Sequence, residues 1–175
     1  MKPSPTSQGE RSIRFGGKGA QGGGATVERT VVAAVDGVDE LTERYFRAQG
    51  EFLRGDPGPV KDLFSRLDDV TLANPYGPPV RGWEEVSKTI EHAASLRSDG
   101  EFLEWRIVAK HVTAELAYVV QIERAEAKIG AREEIVPIAV RSTMIFRPED
   151  GEWKVAHRHA DPIITPQPAE SVIQE

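Results

Sequence analysis

Cysteine is missing from all 175 residues, and with it every disulfide framework, thiolate metal site and cysteine nucleophile. An excess of positive charge is missing too. The chain carries 22 Lys and Arg against 28 Asp and Glu, a formal charge of −6. No basic cluster interrupts that balance, so phosphate neutralisation is not its work and no nucleic-acid partner is expected. Apolar runs are too short to cross a bilayer, which predicts no membrane association, and residues 1–26 lack the continuous apolar stretch of a secretory signal. These absences lead to the expectation of a cytoplasmic protein. What is present, 39% hydrophobic residues with three tryptophans, is enough for the core of one domain.

The opening stretch "MKPSPTSQGERSIRFGGKGAQGGGAT" is rich in Gly, Ser and Pro and nearly free of large apolar residues. It cannot offset its own ordering entropy, so residues 1–30 are expected to form a flexible arm. Its "FGGKGAQGGG" does not make a phosphate cradle, because a P-loop requires Ser or Thr after the lysine and here Gly19 follows Lys18.

Order is expected from about Asp36, where Val38, Leu41, Tyr45, Ala48 and Phe52 recur at steps of three and four along one helix face. Gly55 ends that helix. Asp56 and Pro57 open a second, with Val60, Leu63, Phe64 and Leu67 as its buried face. "DVTLAN" reads as a short strand and "PYGPP" as a turn, since its prolines and glycine cannot continue a ladder. A third helix over about Trp83 to Leu96 puts Trp83, Val86, Ile90 and Ala93 on one side. From Glu101 the period becomes two: Leu103, Trp105, Ile107 and Ala109 alternate with Glu104, Arg106 and Lys110. Further strands are expected over about 115–128, 133–147 and 152–161, the last two joined at Asp150-Gly151. Helices followed by antiparallel strands predict an α+β domain over residues 31–163, with a tail over 164–175.

The last strand, "WKVAHRHADP", concentrates the titratable chemistry. Regular alternation places Trp153, Val155, His157, His159 and Asp161 on one face and Lys154, Ala156, Arg158 and Ala160 on the other. A His-x-His pair can bind a metal, but ligands on one straight strand lie too far apart to chelate alone. Neither His92 nor His111 sits in a motif that converges on them, so no metal site is predicted. Acid–base chemistry is the functional alternative, with His159 as base or acid and Asp161 orienting it. The plain alternative is cross-strand hydrogen bonding by the histidines and capping of the strand by Asp161 before Pro162. Arg141 and Arg158 suit a carboxylate or enolate through the planar guanidinium fork, or else an ion pair with Glu123, Glu133 or Glu134 on a neighbouring strand. Tyr76 lies in the turn after the first short strand, where packing demands are weak.

The segments "LTERYFRAQGEFLRGDPGPVKDLFS", "DVTLANPYGPPVRGWEEV" and "RSTMIFRPEDGEWKVAHRHAD", in this order and spacing, resemble the nuclear transport factor 2-like superfamily, which includes ketosteroid isomerases and SnoaL-like proteins. The resemblance covers about Asp36 to Pro162. It implies a cone-shaped barrel in which three N-terminal helices pack in a strongly curved, mostly antiparallel sheet around an apolar pocket, and a homodimer formed through the sheet's outer face. Tyr45 falls at the family's oxyanion tyrosine. The general-base aspartate is replaced by Asn74, which cannot take a proton, and the second aspartate aligns with Ser142, or with Arg141 one residue away. Steroid isomerisation by two aspartates is thereby disfavoured.

What the resemblance implies instead is a cofactor-independent isomerase, dehydratase or cyclase that moves protons on a small organic ligand, or a non-catalytic binding or assembly module. His159, Asp161 and Tyr45 are then the candidate catalytic residues. Asn74, Tyr76, Arg141, Ser142 and Arg158 are the candidate ligand-binding residues, and neither cofactor nor metal is expected. Gapless threading of the last strand onto ketosteroid isomerase turns Ala156, Arg158 and Ala160 toward the pocket, against the alternation reading. A bulge in the hairpin would decide between them.

Overall fold

In the computed structural model, which describes residues 23–173, the stripe of Val38, Leu41, Tyr45 and Ala48 is buried along helix α1 (Gly23–Phe52). Full burial of each large apolar side chain contributes roughly 1.5–3 kcal/mol. The helix starts well before Asp36: the last part of the arm expected over 1–30 is helical from Gly23, and residues 1–22 lie outside the described residues. In that first portion Val27, Val31 and Val32 are exposed. Gly37 seats the helix on the final strand, since a Cβ there would come within 2.6 Å of Cδ1 of Trp153.

Gly55 ends this segment with φ of 97°, a conformation that glycine adopts without penalty. Asp56 then accepts the N–H of Gly58 at 2.8 Å and opens α2 (Gly58–Lys61). Val60, Leu63 and Phe64 are buried as expected, but Leu67 is 53% exposed. The helix is a single turn, and the chain then runs beside the last strand through a bridge of Phe64 to Val155, so the helical spacing no longer applies at Leu67.

The short strand β1 (Thr71–Ala73) and its turn lead to β2 (Val80–Arg81), followed by α3 (Trp83–Ser95). Four long strands come next: β3 (Arg97–Val112), β4 (Ala117–Ile129), β5 (Val136–Glu149) and β6 (Glu152–Asp161). They form one curved, unclosed sheet in the order β2-β1-β6-β5-β4-β3, antiparallel except where β1 meets β6. This is the expected α+β cone, with helices held inside the curl of the sheet. Asp150 and Gly151 both have positive φ, 51° and 86°, the two-residue type I′ geometry whose twist matches that of the strands it joins. Beyond β6 the tail contains one 3-10 turn, Ala169–Val172. Among the described residues, no helix is long and apolar enough to cross a membrane.

Two of the sheet's irregularities bear on the site; β3 also slips against β4 between Phe102 and Glu104 and between Ile107 and Ala109. In β3 the pairing with β4 shifts between Ser98 and Glu101, around Asp99 (φ 52°) and Gly100, so the strand begins at Arg97 and not at Glu101. In β6 the pairing with β5 jumps from Ile145–His157 to Phe146–Val155, leaving Ala156 as an extra residue. The bulge resolves the two readings of this strand. Val155 is buried on the inner face, and past Ala156 the alternation resets, so that Arg158 and Ala160 also point inward.

Candidate functional site

The core divides into two parts. The larger joins α1, α2, α3 and the inner faces of β4 to β6 through residues such as Leu41, Phe64, Ile90, Val119, Met144 and Val155. The smaller contains Leu53, Ala125 and Ala127, with Phe102, Ile129 and Ile138 against them. Between the two lies a cavity of about 100 Å³, walled mainly by apolar side chains from both clusters, including Phe52, Leu53, Phe64, Ile90, Phe102 and Ile138.

A few polar groups converge on this space. Tyr45, one of the buried residues of the α1 stripe, has 1% exposure, and its hydroxyl oxygen accepts a hydrogen bond from Nε2 of Gln49 at 2.5 Å, one helical turn along. That bond uses the oxygen as acceptor and leaves the phenol's own O–H free to donate. Burial raises the phenol pKa strongly, the charge of Arg158 opposing and that of Glu123 assisting, so Tyr45 is a proton-bearing donor at neutral pH and not a base. The guanidinium of Arg158 lies 5.9 Å from the Tyr45 ring centroid, and its Nη2 donates to Oε2 of Glu123 at 2.8 Å. Burial works against the Arg158 charge, but Glu123 and Tyr45 outweigh it and hold the group above the ordinary arginine range.

Glu123 projects from β4 on the inner face shared with Val119, Gln121 and Ala125. Its Oε1 accepts from Nε2 of Gln121 at 2.9 Å and from Oγ of Ser142 at 2.6 Å. The whole cluster is buried, with side-chain exposures of 5% for Glu123 and 12% for Arg158, and within it Nε of Arg158 and Oε1 of Gln121 have no hydrogen-bond partner. At the mouth, Arg97 donates through Nη1 to the carbonyl of Ala93 and through Nη2 to the Tyr76 hydroxyl at 2.9 Å. Its guanidinium stands 4.8 Å from the Phe52 ring centroid and 5.2 Å from that of Tyr76. Burial lowers the Arg97 pKa and Arg158 adds to that, while Tyr76 opposes it.

Of the candidate residues, Tyr45, Asn74, Tyr76 and Arg158 all line the cavity. Asn74 also shapes its rim, its Oδ1 accepting the backbone N–H of Tyr76 at 2.9 Å. Ser142 lies behind the wall, holding Glu123. Arg141, His159 and Asp161 belong to the opposite face of the sheet, so the expected histidine–aspartate pair does not meet the cavity. There Nε of Arg141 donates to both oxygens of Asp161, at 2.9 and 2.8 Å, and Asp161 Oδ1 accepts the N–H of Ile163 at 2.8 Å. His159 stands 3.9 Å from the same carboxylate with a side chain 55% exposed. His157, on that face too, has Nδ1 2.8 Å from Oγ1 of Thr71, and burial with the nearby His159 lowers its pKa.

The physical reason for the displacement is the bulge at Ala156. Among the described residues, no group of three or more His, Asp or Glu side chains is placed to hold a metal. Gln49, Arg97 and Phe102 are cavity residues that sequence reasoning passed over, and Glu123 entered it only as an ion-pair partner. The available signals were Gln49 one turn from Tyr45, and a carboxylate at the inward period of β4.

A family model described as a SnoaL-like domain matches residues 38–165. Among solved structures, an NTF2-like family protein from Streptomyces avermitilis described as a candidate dehydratase aligns with a TM-score of 0.62 at 20% identity, covering 77% of this chain and 99% of that one. A ketosteroid isomerase-like protein from Erwinia carotovora atroseptica gives 0.61 at 20% identity, covering 74% and 96%. An NTF2-like superfamily protein from Salmonella enterica serovar Typhimurium gives 0.63 at 16% identity, covering 79% and 97%. At these identities the likeness is one of fold. No curated protein matches the chain at a significant level.

Proposed function

Because this chain belongs to the SnoaL-like domain family, we propose that its cavity binds a small, largely apolar carbonyl compound and polarises the carbonyl oxygen for proton transfer. The observation that carries this reading is the free O–H of Tyr45 inside an apolar cavity, with the Arg158 cation behind it. A donor fixed before the substrate arrives, in a site of low dielectric, favours negative charge developing on that oxygen. Proton movement then falls to Glu123, among the described residues the sole carboxylate lining the cavity. The candidate dehydratase and the ketosteroid isomerase-like protein of the same fold carry names that suit chemistry of this kind.

A second reading, binding without catalysis, draws support from Asn74 at the position of the family's base and from the three donors already on Glu123. Homodimer formation is compatible with either reading, since β3 leaves Leu103, Ile107 and Val108 exposed. Exchange of α-protons separates the two. Small cyclic ketones incubated in heavy water with the protein should gain deuterium, as followed by NMR, and Tyr45→Phe should slow the gain on the order of 100-fold. Ketones that bind without exchanging would leave the non-catalytic reading, and failure of neutral ketones and carboxylates alike to bind would remove both.

A further inference from the structure

The charges lining the cavity do not balance. Arg97 and Arg158 both line it, and among the described residues Glu123 supplies the one carboxylate on the wall. That carboxylate is committed to Arg158 at 2.8 Å. Arg97 has no carboxylate partner among the described residues, and the partners it does have, the Ala93 carbonyl and the Tyr76 phenol, are neutral acceptors. The Phe52 and Tyr76 rings beside the guanidinium attract it through their faces but cancel none of its charge.

A half-buried cation without a counter-ion is costly, and the cost is recovered when an anion arrives. Guanidinium has five N–H donors in a planar fork, and two of its nitrogens each donate to one protein acceptor here. The remaining donors are enough to receive a carboxylate. Resting on the reading of the cavity as a ligand site, we infer that its ligands are monoanionic: a carboxylate held by Arg97 at the mouth, with an apolar body reaching inward past Phe52, Phe102 and Ile138 toward Tyr45. Two negative groups would overcompensate the single spare charge. A neutral molecule would leave it unmatched.

Benzoate and benzamide are probes of nearly the same shape that differ in this charge, and isothermal titration of the wild-type protein with each needs no variant. Benzoate is expected to bind roughly tenfold or more tighter than benzamide, the scale of a charge-assisted against a neutral hydrogen bond. In Arg97→Gln that preference should disappear through loss of benzoate affinity, with benzamide little changed. Arg97→Lys, which keeps the charge but loses the fork, should retain part of it. Equal binding of the two probes by the wild-type protein, or an undiminished preference in Arg97→Gln, overturns the inference while leaving the cavity as a ligand site. Binding of neither benzoate, benzamide nor the cyclic ketones overturns the ligand-site reading and the inference together.

Discussion

Glu123 on β4 and Arg158 on β6 reach each other diagonally across the intervening β5, and both side chains are more than four-fifths buried. The pair is costly to assemble but costlier to break, because a lone charge left in that space has no water to solvate it. Glu123→Gln is therefore expected to lower unfolding free energy by about 3–5 kcal/mol. The double variant Glu123→Gln with Arg158→Met should recover most of that loss, since it removes both charges and keeps much of the volume. Urea unfolding of the wild type, both single variants and the double variant checks this, and simple addition of the two single losses would mean that the residues are not coupled. Tyr45 was legible from the sequence because helical period alone fixes which way it points. The partnership of Glu123 was not singled out, because Glu133 and Glu134 offered equal chemistry on an expected strand, and in the structure that strand begins only at Val136.

At the scale of elements, the stripe of α1, α3 and the four long strands followed from periodicity, whereas the start of α1, the short β2 and the bulges at Asp99-Gly100 and Ala156 escaped it. The Ala156 bulge inverts the facing of the catalytic candidates: with strict alternation His159 would look inward, and one extra residue turns Arg158 inward in its place. Local composition gives no notice of it, because Val-Ala-His continues a strand as well as it interrupts one. The other irregularity did leave a trace, since Asp99-Gly100 within a strand pattern is a bulge signal. Its function is steric. Gly100 donates its N–H to the Leu53 carbonyl at 3.2 Å, and a Cβ there would approach Leu53 O to 2.6 Å and Ala127 Cβ to 2.8 Å. Close approach of β3 to the end of α1 bends the sheet over the cavity beside Arg97. Gly100→Ala should thus cost about 1–3 kcal/mol by overpacking, read as a lower urea midpoint. An unchanged midpoint would mean that this contact relaxes freely and does not set the curvature.

For the whole molecule, the order of helices and strands was enough to read the cone, because a run of antiparallel strands after amphipathic helices has few ways to bury both apolar faces. The cavity was not legible in the same way. Its walls come from α1, α2, the turn after β1, α3 and five strands, and an empty space between residues distant in sequence leaves no periodic mark. The division it imposes has a dynamic consequence. β4 runs through both clusters, with Ala117 and Val119 in the larger and Ala125 and Ala127 in the smaller, and the smaller end has little buried apolar area of its own to resist local opening. Amide exchange followed by mass spectrometry should accordingly be faster in peptides from 124–130 and 97–103 than in those from 117–122 and 142–147. A ligand that fills the cavity connects the two clusters, so saturating benzoate should slow exchange chiefly at the smaller end. Uniform exchange along β4, or uniform slowing on ligand binding, would show that the strand opens as one unit and that the cavity does not divide the core in solution.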